Sequence, residues 1–192
     1  MEGEARPMRE RIPAPRAKTT DTPAGLEVTI PARRNLFIVL FLACWLLGWA
    51  WGEVTVSSQV GREGIKGAGL FIIAWLAAWT LVGTGAIFAW CWQIAGREHI
   101  TLASDSLLVR YEIFSIGLTR EYGLSDVKSL RISMPTLDPT NPSAAFRFWG
   151  FGGGPIAFDF GPRTIRMGNG LDEAEARSIV EAFSARHAFA TA

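Results

Sequence analysis

Two long runs without an ionisable side chain constrain this chain more than any other feature. The first, Leu36-Phe-Ile-Val-Leu-Phe-Leu-Ala-Cys-Trp-Leu-Leu-Gly-Trp-Ala-Trp51, spans about eighteen residues when counted with Asn35 and Gly52. That is close to the minimum for crossing a hydrocarbon core about 30 Å thick. The second runs from Ala68 to Ala95 and is long enough to cross with tilt. A core helix of a soluble protein seldom stays uncharged on every face for this length. The expectation is a transmembrane helical hairpin over 35–95, with helices at 35–52 and 68–95 and a polar loop at 53–67.

Residues at the ends of the runs give further detail. Trp49 and Trp51 close the first run and Trp90 and Trp92 the second, positions where amphipathic rings favour the headgroup level. Arg33 and Arg34 precede the first helix and Arg97 follows the second, whereas the loop balances Arg62 and Lys66 with Glu53 and Glu63. The positive-inside tendency then places both termini in the cytoplasm. Ala50-Trp51-Gly52 resembles a signal-peptide cleavage site, but some thirty-four residues precede the run, which favours an uncleaved anchor in the plasma or inner membrane. Neither run carries the Asp, Glu, Lys, Arg or His that usually marks an ion path. Gly83, Gly85 and Ala89, with Cys44 and Gly48, offer small-residue faces that fit packing within the hairpin, or dimerisation. The two cysteines, Cys44 and Cys91, read as buried small hydrophobes and are too few for a zinc cluster.

Before the hairpin, residues 1–25 are rich in Pro, Arg, Ala and Thr and read as a disordered cytoplasmic tail. In the segment 26–34, Leu26-Glu-Val-Thr-Ile30 alternates like a strand and ends at Pro31. It has no partner nearby, so it is expected to pair with an edge of the domain that follows the hairpin.

That domain, over 97–187, switches to a period of two. Strands are expected at Ile100–Leu102, Leu107–Ile113, Leu118–Tyr122 and Val127–Ser133, then at Phe146–Trp149, Ile156–Phe160 and Thr164–Met167. Asp172 with Glu175 forms a capping box, and Ala176, Ile179, Val180 and Phe183 share one face of the helix that follows. The fold class is therefore α+β: a helical hairpin, about seven antiparallel strands in a barrel or sandwich, and a closing C-terminal helix. Acids and bases nearly balance within the domain, and the whole chain carries a formal charge of only +1. Nucleic acid, which needs a basic footprint, is not an expected partner.

Three stretches, Ile100 to Ile113, Tyr122 to Arg131 and Gly161 to Phe183 with its turn, strand and helix, resemble the bacterial membrane proteins that join a two-helix hairpin to a pleckstrin-homology-like domain. The resemblance implies a PH-like fold on the cytoplasmic side and brings no function of its own. Relatives that bind phosphoinositides use clustered bases around the first hairpin. The corresponding turn here, Ala103 to Leu107, offers Asp105 and no base, so specific phosphoinositide binding is not expected.

No constellation in the sequence carries chemistry. His99 and His187 lie in no motif with a nucleophile or a second metal ligand. Ser115, Ser125 and Ser133 lack a nucleophile elbow, and Gly152-Gly-Gly154 runs into Pro155 rather than a phosphate cradle. Arg110, Arg120, Lys128, Arg131, Arg163 and Arg166 read as a solvated sheet face rather than a lipid-binding one, with Glu112 and Glu121 as cross-strand partners. The unusual stretch is Phe146 to Gly154, where Arg147, Phe148, Trp149 and Phe151 are candidates for membrane or partner contact. No catalytic residue, metal, cofactor or small-molecule substrate is inferred. The expected function is a non-enzymatic membrane scaffold or adaptor. Its cytoplasmic domain would dock a protein partner or a second copy of itself. The alternative is a lipid-sensing module that lays the aromatic loop on the bilayer.

Overall fold

A computed structural model describes residues 15–133 and 153–190. It shows an α+β chain with two long apolar helices, eight described strands in two antiparallel sheets, and a C-terminal helix. Strands β1 (Lys18–Thr22) and β2 (Gly25–Pro31) come first. Helices α1 (Leu36–Arg62) and α2 (Gly69–Ala95) follow. Next are β3 (Gly96–Leu102), β4 (Ser106–Ile113), β5 (Ile116–Gly123) and β6 (Val127–Ile132). The chain closes with β7 (Ile156–Phe160), β8 (Arg163–Met167) and α3 (Glu173–Ser184).

Asn35 caps α1, its side chain accepting from the amides of Phe37 and Ile38. The helix does not stop at Gly52 but runs on to Arg62, which corrects the loop expected at 53–67. Polarity ends an apolar run without ending a helix. Thr55 and Ser58 bond back to carbonyls of their own helix, and Glu53 accepts from Thr80 on α2 at 2.8 Å. The backbone leaves helical geometry at Gly64 (φ 73°) and Gly69 (φ 72°), conformations that favour glycine. Each helix has 27 residues, or about 40 Å at 1.5 Å per residue. Within the most apolar stretch of each, only 11% and 6% of residues are buried in the protein. Both are long and apolar enough to cross a membrane.

The helices pack antiparallel through aromatic side chains. Trp49 donates to the Trp79 carbonyl at 3.2 Å and Trp90 to the Val39 carbonyl at 3.1 Å. These two indoles therefore bond across the hairpin. Gly83 receives the Trp49 ring: a Cβ there would lie 1.9 Å from it. Ala89 packs with Ile38 and Leu42, whereas Gly48 and Gly85 face open space. Cys44 and Cys91 are free thiols.

Sheet A runs β1-β2-β3-β4-β5 and sheet B runs β6-β7-β8. The central fact of the topology is the pairing of β2 with β3, from Leu26 opposite Leu102 to Pro31 opposite Arg97. The Ala32 amide extends it by bonding to the Gly96 carbonyl at 2.9 Å. The helix pair is thus inserted between two neighbouring, hydrogen-bonded strands. Residues 18–22, within the tail expected to be disordered, form β1 and pair with β2. Lys-Thr-Thr-Asp-Thr buries almost nothing, so side-chain patterning could not announce a strand held by its backbone ladder.

The core lies between the inner face of sheet A, sheet B and α3. Leu26, Val28 and Ile30 from β2 meet Ile100, Leu107 and Val109, and Phe158, Ile179 and Phe183 close over them. The capping box of α3 forms as its sequence indicates, Asp172 accepting from the Glu175 amide at 2.8 Å. Sheet B is pinned at its surface by a bidentate pair, Arg131 to Asp159 at 2.6 and 3.0 Å.

Candidate functional site

Along β3 the inward positions are Gly96, Glu98, Ile100 and Leu102, so strand alternation turns the Glu98 carboxylate into the core. Its exposure is 2%, a value rare for an acid without partners. Glu98 has three. Its two oxygens accept from the backbone amides of Gly168 at 3.0 Å and Asn169 at 2.8 Å, and the Tyr111 hydroxyl donates to it from the directly opposite position on β4. Gly168 has φ 83° and Gly170 φ 87°, the left-handed geometry that lets consecutive amides turn toward one acceptor.

This carboxylate sits at the foot of the helix pair. The Trp92 indole, in the last turn of α2, covers Gly96 and lies 6.2 Å from the Tyr111 ring. Gln93, 2% exposed, accepts from the Asn35 amide at 3.3 Å and so joins the end of α2 to the start of α1. Arg16 completes the junction from the N-terminal side. Its guanidinium donates to the carbonyls of Gly170 and Ala32, each at 3.3 Å, while its amide bonds to Glu175 at the start of α3. Several pieces of chain converge here: the end of β2, the start of α1, the end of α2, the start of β3, the loop before α3, and the segment preceding β1.

Burial pushes the Glu98 carboxyl above its ordinary range, against the pull of its two backbone donors and the tyrosine. The Tyr111 hydroxyl is pushed up as well, by burial first and then by the negative charge of Glu98. A raised acid is bound to its proton in the fold after the unfolded chain has lost it, so stability falls as pH rises from about 4.3 through the folded value. Glu98→Gln, which cannot titrate, removes that slope. Thermal midpoints of the two proteins compared at stepped pH should diverge, the wild type losing ground as pH rises from 4 toward neutrality. Parallel curves would show that the Glu98 carboxyl titrates alike in the folded and unfolded chain.

Chemically, every donor that faces Glu98 belongs to the frame of the protein, and the group acts as a fastener between sheet A and the loop into α3. Among the described residues, no group of three or more His, Cys, Asp or Glu could hold a metal ion. His99 faces the other side of sheet A, within 3.0 Å of Glu27 and 3.1 Å of Thr29. His187 packs edge-on against Phe189. Several bases of the expected sheet face have local partners: Arg110 pairs with Glu112 at 3.0 Å, Arg131 with Asp159, and Arg166 bonds to Ser133 at 2.6 Å. The residues singled out in the sequence, Arg147, Phe148, Trp149 and Phe151, lie outside the described residues. Glu98 was legible in principle, since it is in phase with Ile100 and Leu102. A lone acid at the start of a strand, however, reads just as well as solvated.

Compared with known protein families, curated proteins and solved structures, the chain matches none.

Proposed function

We propose that the chain is a non-enzymatic integral membrane scaffold. In this reading both helices cross the plasma or inner membrane, both termini are cytoplasmic, and a PH-like domain docks a protein partner or a second copy. The observation that carries the reading is the seam. The helix pair enters and leaves the domain through two strands that hydrogen-bond to each other, and Arg16, Gln93 and Glu98 brace that point. A domain joined this way is held at the bilayer surface in one orientation, as a docking platform requires and a tethered enzyme does not. The apolar, outward-facing surfaces of α1 and α2 and the exposed Arg33, Arg34 and Arg97 support the crossing and its direction. Two antiparallel sheets packed against one C-terminal helix support the PH-like assignment.

Sheet A also leaves somewhere to dock. Among the described residues β5 pairs only with β4, and six of its eight residues are exposed. An unpaired edge of this kind accepts an added strand. Crosslinking of the full-length protein in its own membranes, followed by sizing in detergent, should give either a discrete crosslinked partner or a dimer. A protein that stays monomeric and uncrosslinked is no scaffold.

A further inference from the structure

The register of sheet A places one apolar patch at the level where the helices leave the domain. Gly96, the residue directly after α2, lies opposite Ile113, and Ile113 lies opposite Ile116. The β4–β5 turn, Phe114-Ser115, projects one step further toward the helices, with φ 49° and 69° as a tight hairpin turn requires. Phe114 is 62% exposed, Ile116 82% and Leu118 64%. Ile116 and Leu118 are in phase with Tyr122, which is buried, so they occupy the inner face of the sheet. The core fills that face at its far end, and Trp92 covers it beside Gly96. Beyond Trp92 no described residue covers it.

We infer that the β4–β5 tip is a membrane-surface anchor, with Phe114, Ile116 and Leu118 seated in the interfacial layer of the bilayer that α1 and α2 cross. This rests on the membrane reading proposed above and adds a second, non-helical contact to it. Three large exposed apolar side chains within five consecutive residues are costly in water. The occupant follows from their place. The apolar outer surface of the helix pair begins at Leu36 and Phe37, and Asn35 and Gln93 mark the polar boundary beneath it. The tip lies beside that boundary, through Gly96 and Ile113. Arg33, Arg34 and Arg97 are exposed at the same level, where they suit anionic headgroups. A wedge on one side of the helix pair would add a second point of attachment to the orientation that the seam already sets.

The test uses full-length protein in vesicles of mixed neutral and anionic lipid, on a Cys44→Ser, Cys91→Ser background. A spin label is placed singly at Phe114→Cys or Ile116→Cys, with Leu40→Cys on α1 and Asp105→Cys on the far turn as references. Labels at 114 and 116 should collide readily with oxygen and poorly with a water-soluble nickel chelate, as at Leu40, while Asp105 shows the reverse. Should 114 and 116 match Asp105 while Leu40 stays lipid-like, the anchor is wrong and the membrane reading stands. Exclusion of both reagents at 116 would mean that protein covers the patch, which also overturns the anchor. A nickel-accessible Leu40 would remove the membrane reading and the anchor with it.

Discussion

Residues 96–192 produced without the first ninety-five are expected not to fold. They look like a complete domain, but they lack β2, whose Leu26, Val28 and Ile30 are 3%, 0% and 1% exposed in the core. Burying each such side chain is worth about 1.5–3 kcal/mol, so their loss removes roughly 5–9 kcal/mol. That is comparable with the whole stability of a small domain, about 5–15 kcal/mol. The loss also bares the full edge of β3, an invitation to aggregation. The fragment should appear as inclusion bodies, or as a soluble species without amide dispersion in NMR spectra. Joining residues 15–32 to residues 96–190 through a two-residue Asn-Gly turn should restore a folded, soluble domain, because Ala32 and Gly96 already face each other across the ladder. A well-folded fragment lacking β1 and β2 would refute the placement of β2 in the core.

Glu98→Ala should be the most damaging single change at the junction. It leaves the amides of Gly168 and Asn169 and the Tyr111 hydroxyl facing a small void, and a stranded buried donor costs about 1–3 kcal/mol. Three such donors are left, and removing a buried charge returns part of their cost, so the net loss should be about 2–5 kcal/mol. Denaturant midpoints in detergent measure it. Limited proteolysis should also open a new site between β8 and α3, since Glu98 fastens that loop to β3. As a control, Glu173→Ala removes an exposed pair with Arg177, and should cost under about 0.5 kcal/mol. Equal effects from the two substitutions would show that the buried carboxylate contributes little.

What the sequence disclosed, and what it withheld, follows from which signals are carried by side chains. The uncharged runs set the helices, and alternation set β2, β4 and β6, because those segments partition between water and an apolar interior. The capping box of α3 announced itself by residue type. Three features escaped. β1 is polar on both faces and exists through its ladder with β2. The last turns of α1 are polar because they reach beyond the most apolar stretch, while their helical hydrogen bonds continue unchanged. Glu98 and Gln93 are buried polar groups whose partners lie 70 and 58 residues away along the chain, and a single sequence carries no trace of such distant pairings.

The pairing of β2 with β3 has a consequence for the order in which the protein assembles. Sixty-four residues separate Pro31 from Gly96, and a flexible loop of that length pays an entropic penalty that grows with the logarithm of its length. Here the loop is not flexible: antiparallel docking of α1 on α2 returns the chain to its starting point with both ends side by side. On a ribosome, β2 emerges first and must wait for its neighbour until α2 has been made. During that interval its apolar residues are the segment most in need of protection. The helices then act as the template on which the sheet is zipped, and a mutation that splays them, such as one filling the space at Gly83, would be felt first as a failure of the distant domain to close.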